Sequence, residues 1–444
     1  MGHIGGDRGQ PPATRNCVAQ PGTIQVRTVL TSATAIGGGL VLMAGLLATG
    51  ALPAGQRPDA PPEAASGPVT PEMFGARGDG RTDDTAAWRR AARGGREIVA
   101  SGTYLVSDTI ELAIPGAQLS GRGTLIASPS LAGKSLLESR ADDCRIEGLT
   151  FRNPSEAQSR TGPISVAIRI SANRCRVAAN RIDRFQNGIV VSADGEYFDT
   201  TIENNVVSNV IGVGGGPADR TSTAGEDRGD GIVSWGARTR IVGNQVSAKP
   251  GTDARIGIHV EALPTFKRRT TPDDDAGAEI RNNRVSGSFR RAIADEGVRD
   301  AVIADNDLPG GYSWWAIAVT QGGRNVTVAN NRITFDRHPN NASGSAWHFW
   351  PAAIHVAGYG RDVRIDDVTI RDNRVRVTRC GGPGLQYMND GGRPANFRPL
   401  TATGNQISTA GACALPAVRL VGGLSLDARS TNRIEGGWAR RLGR

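Results

Sequence analysis

The sequence predicts an all-β fold, a single-stranded right-handed parallel β-helix of about nine to eleven coils with a short N-terminal capping helix. Three observations predict it: a recurring asparagine motif, a second apolar strand after each copy, and turn residues too frequent for helices. The motif is Ile/Val-x-x-Asn-x-Val/Ile/Leu, and its asparagines are Asn180, Asn205, Asn244, Asn283, Asn306, Asn331 and Asn373. Degenerate copies flank the series, with Leu149 in the asparagine place at one end and Asn405 at the other. Self-similarity at this spacing marks a solenoid, in which each unit buries its apolar face against its neighbours only.

Each copy is followed by a strand that opens on a small residue and isoleucine. These pairs are Ala167-Ile168, Gly188-Ile189, Gly231-Ile232, Gly257-Ile258, Ala292-Ile293, Ala316-Ile317 and Ala353-Ile354. Apolar and polar residues alternate with period two around both strands, which is strand periodicity. Gly, Asn, Asp and Pro recur every few residues from Gly102 onward and leave no room for a helix of ordinary length. The asparagines are expected to stack at one corner of the coils, amide to amide, in a left-handed turn that asparagine tolerates. Handedness follows from the preference of parallel connections.

Ahead of the repeats, residues 28–56 carry no charge, and Arg8, Arg15 and Arg27 precede them with only Asp7 in opposition. That asymmetry predicts a cytoplasmic leader over 1–27 and a signal sequence or uncleaved signal anchor over 28–52. A Pro/Ala-rich linker over 53–68 follows, then the β-helix over 69–430 and a basic tail over 431–444. The β-helix is therefore expected outside the cytoplasm, exported or held at the inner membrane. Cys144 and Cys175 occupy equivalent places in adjacent repeats, as a disulfide or a reduced stack, and Cys380 and Cys413 are a second candidate pair.

The segment Val69-Thr-Pro-Glu-Met-Phe-Gly-Ala-Arg-Gly-Asp-Gly-Arg-Thr-Asp-Asp-Thr-Ala-Ala-Trp supplies the cap. Asp83 or Asp84 can start a short helix whose apolar side is Ala87, Trp88 and Ala91. This stretch, with Gly102-Thr-Tyr-Leu-Val106 after it, resembles the opening of the pectate-lyase-like superfamily, which includes rhamnogalacturonase- and epimerase-type β-helices and phage tailspikes. The resemblance spans roughly residues 69–430 and implies a carbohydrate-active fold. It transfers no catalytic residue. The polygalacturonase set (Asn-Thr-Asp, Gly-His-Gly, Arg-Ile-Lys) and the Asp-Pro-His of alginate epimerases do not occur here.

Aligning the second strands on their isoleucines brings candidate chemistry into columns. Glu261 and Glu296 fall at one place in consecutive coils, about 5 Å apart at Cα. Two carboxylates at that spacing suit acid–base or nucleophilic work on a glycosidic bond. His259 lies on the same face as a proton carrier, and Asp230 is a possible third carboxylate. Trp235, Trp314, Trp350, His355, Arg255, Arg290 and Lys267 are candidate substrate contacts, while Trp315 and Asp295 align inward, and the strand is expected to deviate at Asp295. The competing interpretation has both glutamates solvated and paired with Arg255 or Arg290. The small residues before each isoleucine mark either a strip kept clear for an extended ligand or local backbone geometry. Longer steps between asparagines place insertions at 212–228, 263–277 and 336–351, expected to wall such a groove.

Formal net charge is +9, almost all of its positive side arginine. It permits an acidic polysaccharide partner. Nucleic acid is disfavoured because no recognition module or dense basic helix is present. The expectation is a polysaccharide-acting enzyme, foremost a glycoside hydrolase. The alternatives are a lyase or epimerase on uronate glycans, and a non-catalytic glycan-binding or envelope β-helix. No metal-type spacing of ligands is apparent and no cofactor is expected, apart from a divalent cation such as calcium if the chemistry is that of a lyase.

Overall fold

The computed structural model describes residues 67–131, 133–155, 164–212, 228–252, 254–262, 276–336, 351–359 and 363–439. The expected leader, membrane segment and most of the linker lie outside these residues, as do Lys267 and Trp350. Among the described residues no helix is long and apolar enough to cross a membrane.

Three parallel sheets of 11, 13 and 11 strands run the length of the domain. Each motif copy supplies two of them. Its leading isoleucine sits in the first sheet, as in Thr201–Glu203, and its trailing valine in the second, as in Val206–Val210. The second apolar strand builds the third sheet. Every paired strand is parallel and bonds to the equivalent strand one coil away, as Ile202 does with Ile241 and Val207 with Val246. The inward isoleucines of the third sheet stack in register, Ile189 on Ile232 on Ile258 on Ile293 on Ile317 on Ile354, all essentially without solvent contact.

The asparagines form the expected ladder. Each side-chain amide donates to the carbonyl of the next asparagine and to a backbone carbonyl of the coil before, as Asn205 does to Asn244 at 3.0 Å and to Val177 at 2.9 Å. Its own carbonyl accepts from the preceding asparagine's amide and backbone N–H. One expectation is corrected: the left-handed residue is the one before each ladder asparagine. Asn204, Asn282, Asp305, Asn330 and Asp372 have φ between 54° and 60°, and glycine takes the same place at 243 and 404. That residue faces water, so the ladder side chain is free to turn inward.

The ladder also runs beyond the expected domain end. Asn405 donates to Asn432 at 2.7 Å, and Arg433–Glu435 adds a strand to the second sheet. Residues 432–435 therefore belong to the last coil of the β-helix. This coil escapes the motif because Arg429 stands where an isoleucine or valine is usual.

The capping helix α1 (Thr85–Gly94) covers the first coil. Asp83 accepts from the Thr85 N–H, while Asp84 turns away to accept from Arg77 and Gly78 and pins the preceding loop. Ala87, Trp88 and Ala91 are buried, with Trp88 edge-on to Tyr104. Both cysteine pairs are bridged, with Cα separations of 4.5 Å for Cys144–Cys175 and 5.0 Å for Cys380–Cys413.

Candidate active site

Five consecutive strands of the third sheet carry the candidate residues: β1 (Asp230–Ser234), β2 (Ala254–Glu261), β3 (Phe289–Glu296), β4 (Trp315–Thr320) and β5 (Ala352–Tyr359). Register places His259 opposite Val233 and Ala294, and Glu261 opposite Glu296. The columns drawn from the sequence are those of the structure.

The small-residue column is not a ligand strip. A Cβ on Gly188 would lie 2.7 Å from the Val207 side chain, and one on Gly257 would press on Val285 and come within 2.7 Å of the Ala292 carbonyl. These positions point into the coil against the valines of the second sheet, so glycine and alanine are required by space inside the core. Alternation breaks there, and residues two places before the isoleucine lie outside the coil interior. Trp315 is therefore not inward core. Its ring stacks on His355 at 4.2 Å, within 7° of parallel, and packs with Ile256, Ala294, Trp314, Ala318 and Ala352 in a cluster separate from the coil interior.

Nor is this face an open groove. His259, Ala294, Ala318 and His355 have no exposed surface. The Glu261 and Glu296 side chains keep 9% and 12% of theirs, so solvent reaches the pair only at its edge.

His259 stands at the centre. Its Nδ1 faces Asp230 Oδ2 at 3.4 Å, and Arg255 holds the same oxygen at 2.8 Å. Its Nε2 points between the two glutamates, 3.8 Å from Glu261 Oε2 and 3.7 Å from Glu296 Oε2, and has no hydrogen-bond partner. Trp235 donates its indole N–H to Glu261 Oε2 at 2.9 Å, and Arg291 donates to Glu296 Oε1. Asp230 is thus the orienting partner of the imidazole, on the far side from the glutamate pair. Arg255 serves Asp230, and Arg290 lies over the Trp314 ring at 5.5 Å. Arg291, the partner of Glu296, is the residue that strict alternation hides, because it would place that side chain inside the coil.

The two glutamates are pushed apart electrostatically. Burial raises the Glu261 carboxyl above its usual range, with the Glu296 charge adding to the effect against the opposing pull of His259. Burial acts the same way on Glu296, but Arg291 and His259 overcome it and hold that carboxyl far below. Burial disfavours the His259 cation, yet Asp230 and Glu296 outweigh it and raise the imidazole to about 9. Asp230 stays ionised against its burial through Arg255 and His259.

Asp295 corrects a further expectation. The strand does not deviate there, and Asp295 pairs in register with Val260 and Val319. Its Oδ1 accepts from the Val298 N–H at 2.9 Å, and burial raises its carboxyl well above the ordinary value. A carboxyl raised in this way gives up its charge more readily, which lowers the cost of burying it at a regular strand position. His355 belongs to a second polar group, 2.6 Å from the Tyr359 hydroxyl and 3.3 Å from the Gln386 amide, and burial together with Arg291 depresses it to about 3.

Neither a protein-family model nor a curated protein sequence matches the chain. Solved structures do share its architecture. The mannuronan C-5 epimerase A-module of Azotobacter vinelandii aligns over 83% of this chain and 95% of its own, at 15% identity and a TM-score of 0.51. An exopolygalacturonase from Thermotoga maritima aligns over 83% and 93%, at 13% identity and 0.50. The surface adhesin PfbA of Streptococcus pneumoniae aligns over 80% and 82%, at 12% identity and 0.52. With these structures the chain shares the right-handed parallel β-helix fold.

Proposed function

We propose that this protein acts on a polysaccharide and hydrolyses it with retention at the Glu261–Glu296 pair. The observation that carries the proposal is the pair itself: two carboxylates in one column, with facing oxygens within 4.8 Å, each held by a different neighbour. A separation near 5 Å suits the retaining reaction. Glu261, the carboxyl that burial raises, serves as the acid and gives its proton to the glycosidic oxygen as that bond breaks. Glu296, kept ionised by Arg291, attacks the anomeric carbon and forms a glycosyl ester. Glu261 then takes a proton from water, and the hydroxide releases the sugar from Glu296. Two of the similar structures are a glycan epimerase and a polygalacturonase, which supports a carbohydrate substrate. The excess of arginine suits an acidic one.

A second reading, glycan binding without turnover, is favoured by the nearly closed site and by an adhesin among the structural neighbours. The uncharged stretch at 28–52 supports a place outside the cytoplasm in either case, tethered or released according to whether it is cleaved. The full-length chain is to be screened on neutral and acidic polysaccharides, reading new reducing ends and unsaturated uronates separately. New reducing ends that disappear in both Glu261→Gln and Glu296→Gln support hydrolysis. Unsaturated products point to a lyase, and binding with no product to the second reading.

A further inference from the structure

We infer that His259, Glu261 and Glu296 form a binding site for one divalent first-row transition-metal ion. The site goes beyond the hydrolytic reading and does not depend on it. Two observations support it. The first is the convergence of one imidazole nitrogen and two carboxylate oxygens within 4.8 Å of one another, at the end of two adjacent strands. The second is His259 Nε2 itself, fully buried, without a hydrogen-bond partner, and aimed into the gap between the carboxylates. Only the two carboxylates face it, at distances too long for a hydrogen bond, and a buried ring nitrogen without one is costly.

The dimensions fit. Metal–ligand bonds of about 2.0–2.2 Å to nitrogen and oxygen place neighbouring donors roughly 3–4 Å apart. The Nε2 distances of 3.8 Å and 3.7 Å to the two carboxylates match that spacing, whereas they are too long for direct hydrogen bonds.

Each donor also has the outer partner that a metal site requires. Asp230 faces Nδ1 at 3.4 Å, and Arg255 anchors Asp230 in turn; an ion at Nε2 would replace the proton that the imidazolium carries there. Trp235 holds Glu261 and Arg291 holds Glu296. One imidazole with two carboxylates suits zinc, iron(II) or manganese(II) better than calcium, which prefers six to eight oxygens. Three protein donors leave room for water at the edge where the glutamates meet solvent. Metal and proton would compete for the same glutamate oxygens, so the loaded site and the acid–base pair are alternative states of one cluster.

The test uses the full-length chain, stripped with chelator and titrated with Zn²⁺ or Co²⁺ in the absence of any glycan. One ion per chain is expected, with cobalt d–d absorption and a Zn²⁺-dependent rise in Tm, and without competition from Ca²⁺. Glu261→Gln and Glu296→Gln, which preserve shape, should each weaken binding at least 100-fold, and Asp230→Asn by about 10–100-fold. Circular dichroism identifies any variant that fails to fold, and His259→Gln provides a further arm. Absence of stoichiometric binding by the parent chain overturns the inference. So does Zn²⁺ affinity that survives in both folded glutamate variants, or Ca²⁺ binding in place of Zn²⁺. Because no glycan is present, each of these results leaves the hydrolytic reading to be judged by its own reducing-end assay.

Discussion

The indole N–H of Trp235 donates to Oε2 of Glu261 across the step between two coils, at 2.9 Å. It is the bond that aims this carboxyl. Trp235→Phe keeps the ring and deletes the donor. Under the hydrolytic assignment kcat should fall by about 10–100-fold with little change in Tm, since a misaimed proton donor is costly. Steady-state kinetics beside thermal melts will check this, and undiminished turnover would remove Trp235 from the machinery.

His355 makes stability depend on pH. Its folded-state pKa of about 3 lies below the ordinary 6.5, so the unfolded chain binds the proton more readily in between. Stability from this residue is complete above pH 6.5 and is lost as pH falls toward 3. At pH 5 the loss is about 2 kcal/mol relative to neutral pH. Urea unfolding of parent and His355→Gln at pH 7.5 and 5 should show a steeper decline in the parent. Parallel declines would contradict the assignment.

Gly257 distinguishes a packing role from a ligand role for the small column. A methyl group there would strike Val285 inside the coil. Gly257→Ala is expected to cost about 1–3 kcal/mol by overpacking. Chemical denaturation measures it, and an unchanged midpoint with lost glycan binding would restore the strip interpretation.

Within the ladder, Asn283 donates to Asn306 and Ile241 and accepts from Asn244. Asn283→Ala leaves several buried groups unpaired and should destabilise the fold by about 2–4 kcal/mol. Asn282→Ala, at the exposed left-handed position beside it, loses no ladder bond and should cost about 1–2 kcal/mol. Equal losses in the two variants would contradict the distinction.

The sequence shows the fold plainly because strand stacking repeats the same local demands. Ile232 and Ile258 share a place for the same reason that Asn244 and Asn283 do. The same register brings His259, Glu261 and Glu296 together on the sequence alone. What it could not show is where periodicity breaks. Alternation reverses at the small residues, so Arg291 and Trp315 emerge on the outside, although a strict period of two places them within. Asp295 differs for another reason, since burial raises a carboxyl at an inward position and the backbone need not yield. Burial of the His355 face is non-local, and no spacing in the strands themselves announces it.

The ladder has one more consequence. Each asparagine finds its side-chain partners in its own coil and the coils immediately above and below, and nothing in its bonding depends on how many coils exist. A whole coil can be excised or duplicated at the ladder corner and the cut ends will still find an amide facing a carbonyl. Length is therefore a free variable of this architecture. The cluster at Glu261 and Glu296 is not, because it needs two particular neighbours in order. Lineages of such a chain can drift in the number of turns while the pair of coils carrying the chemistry travels as one unit.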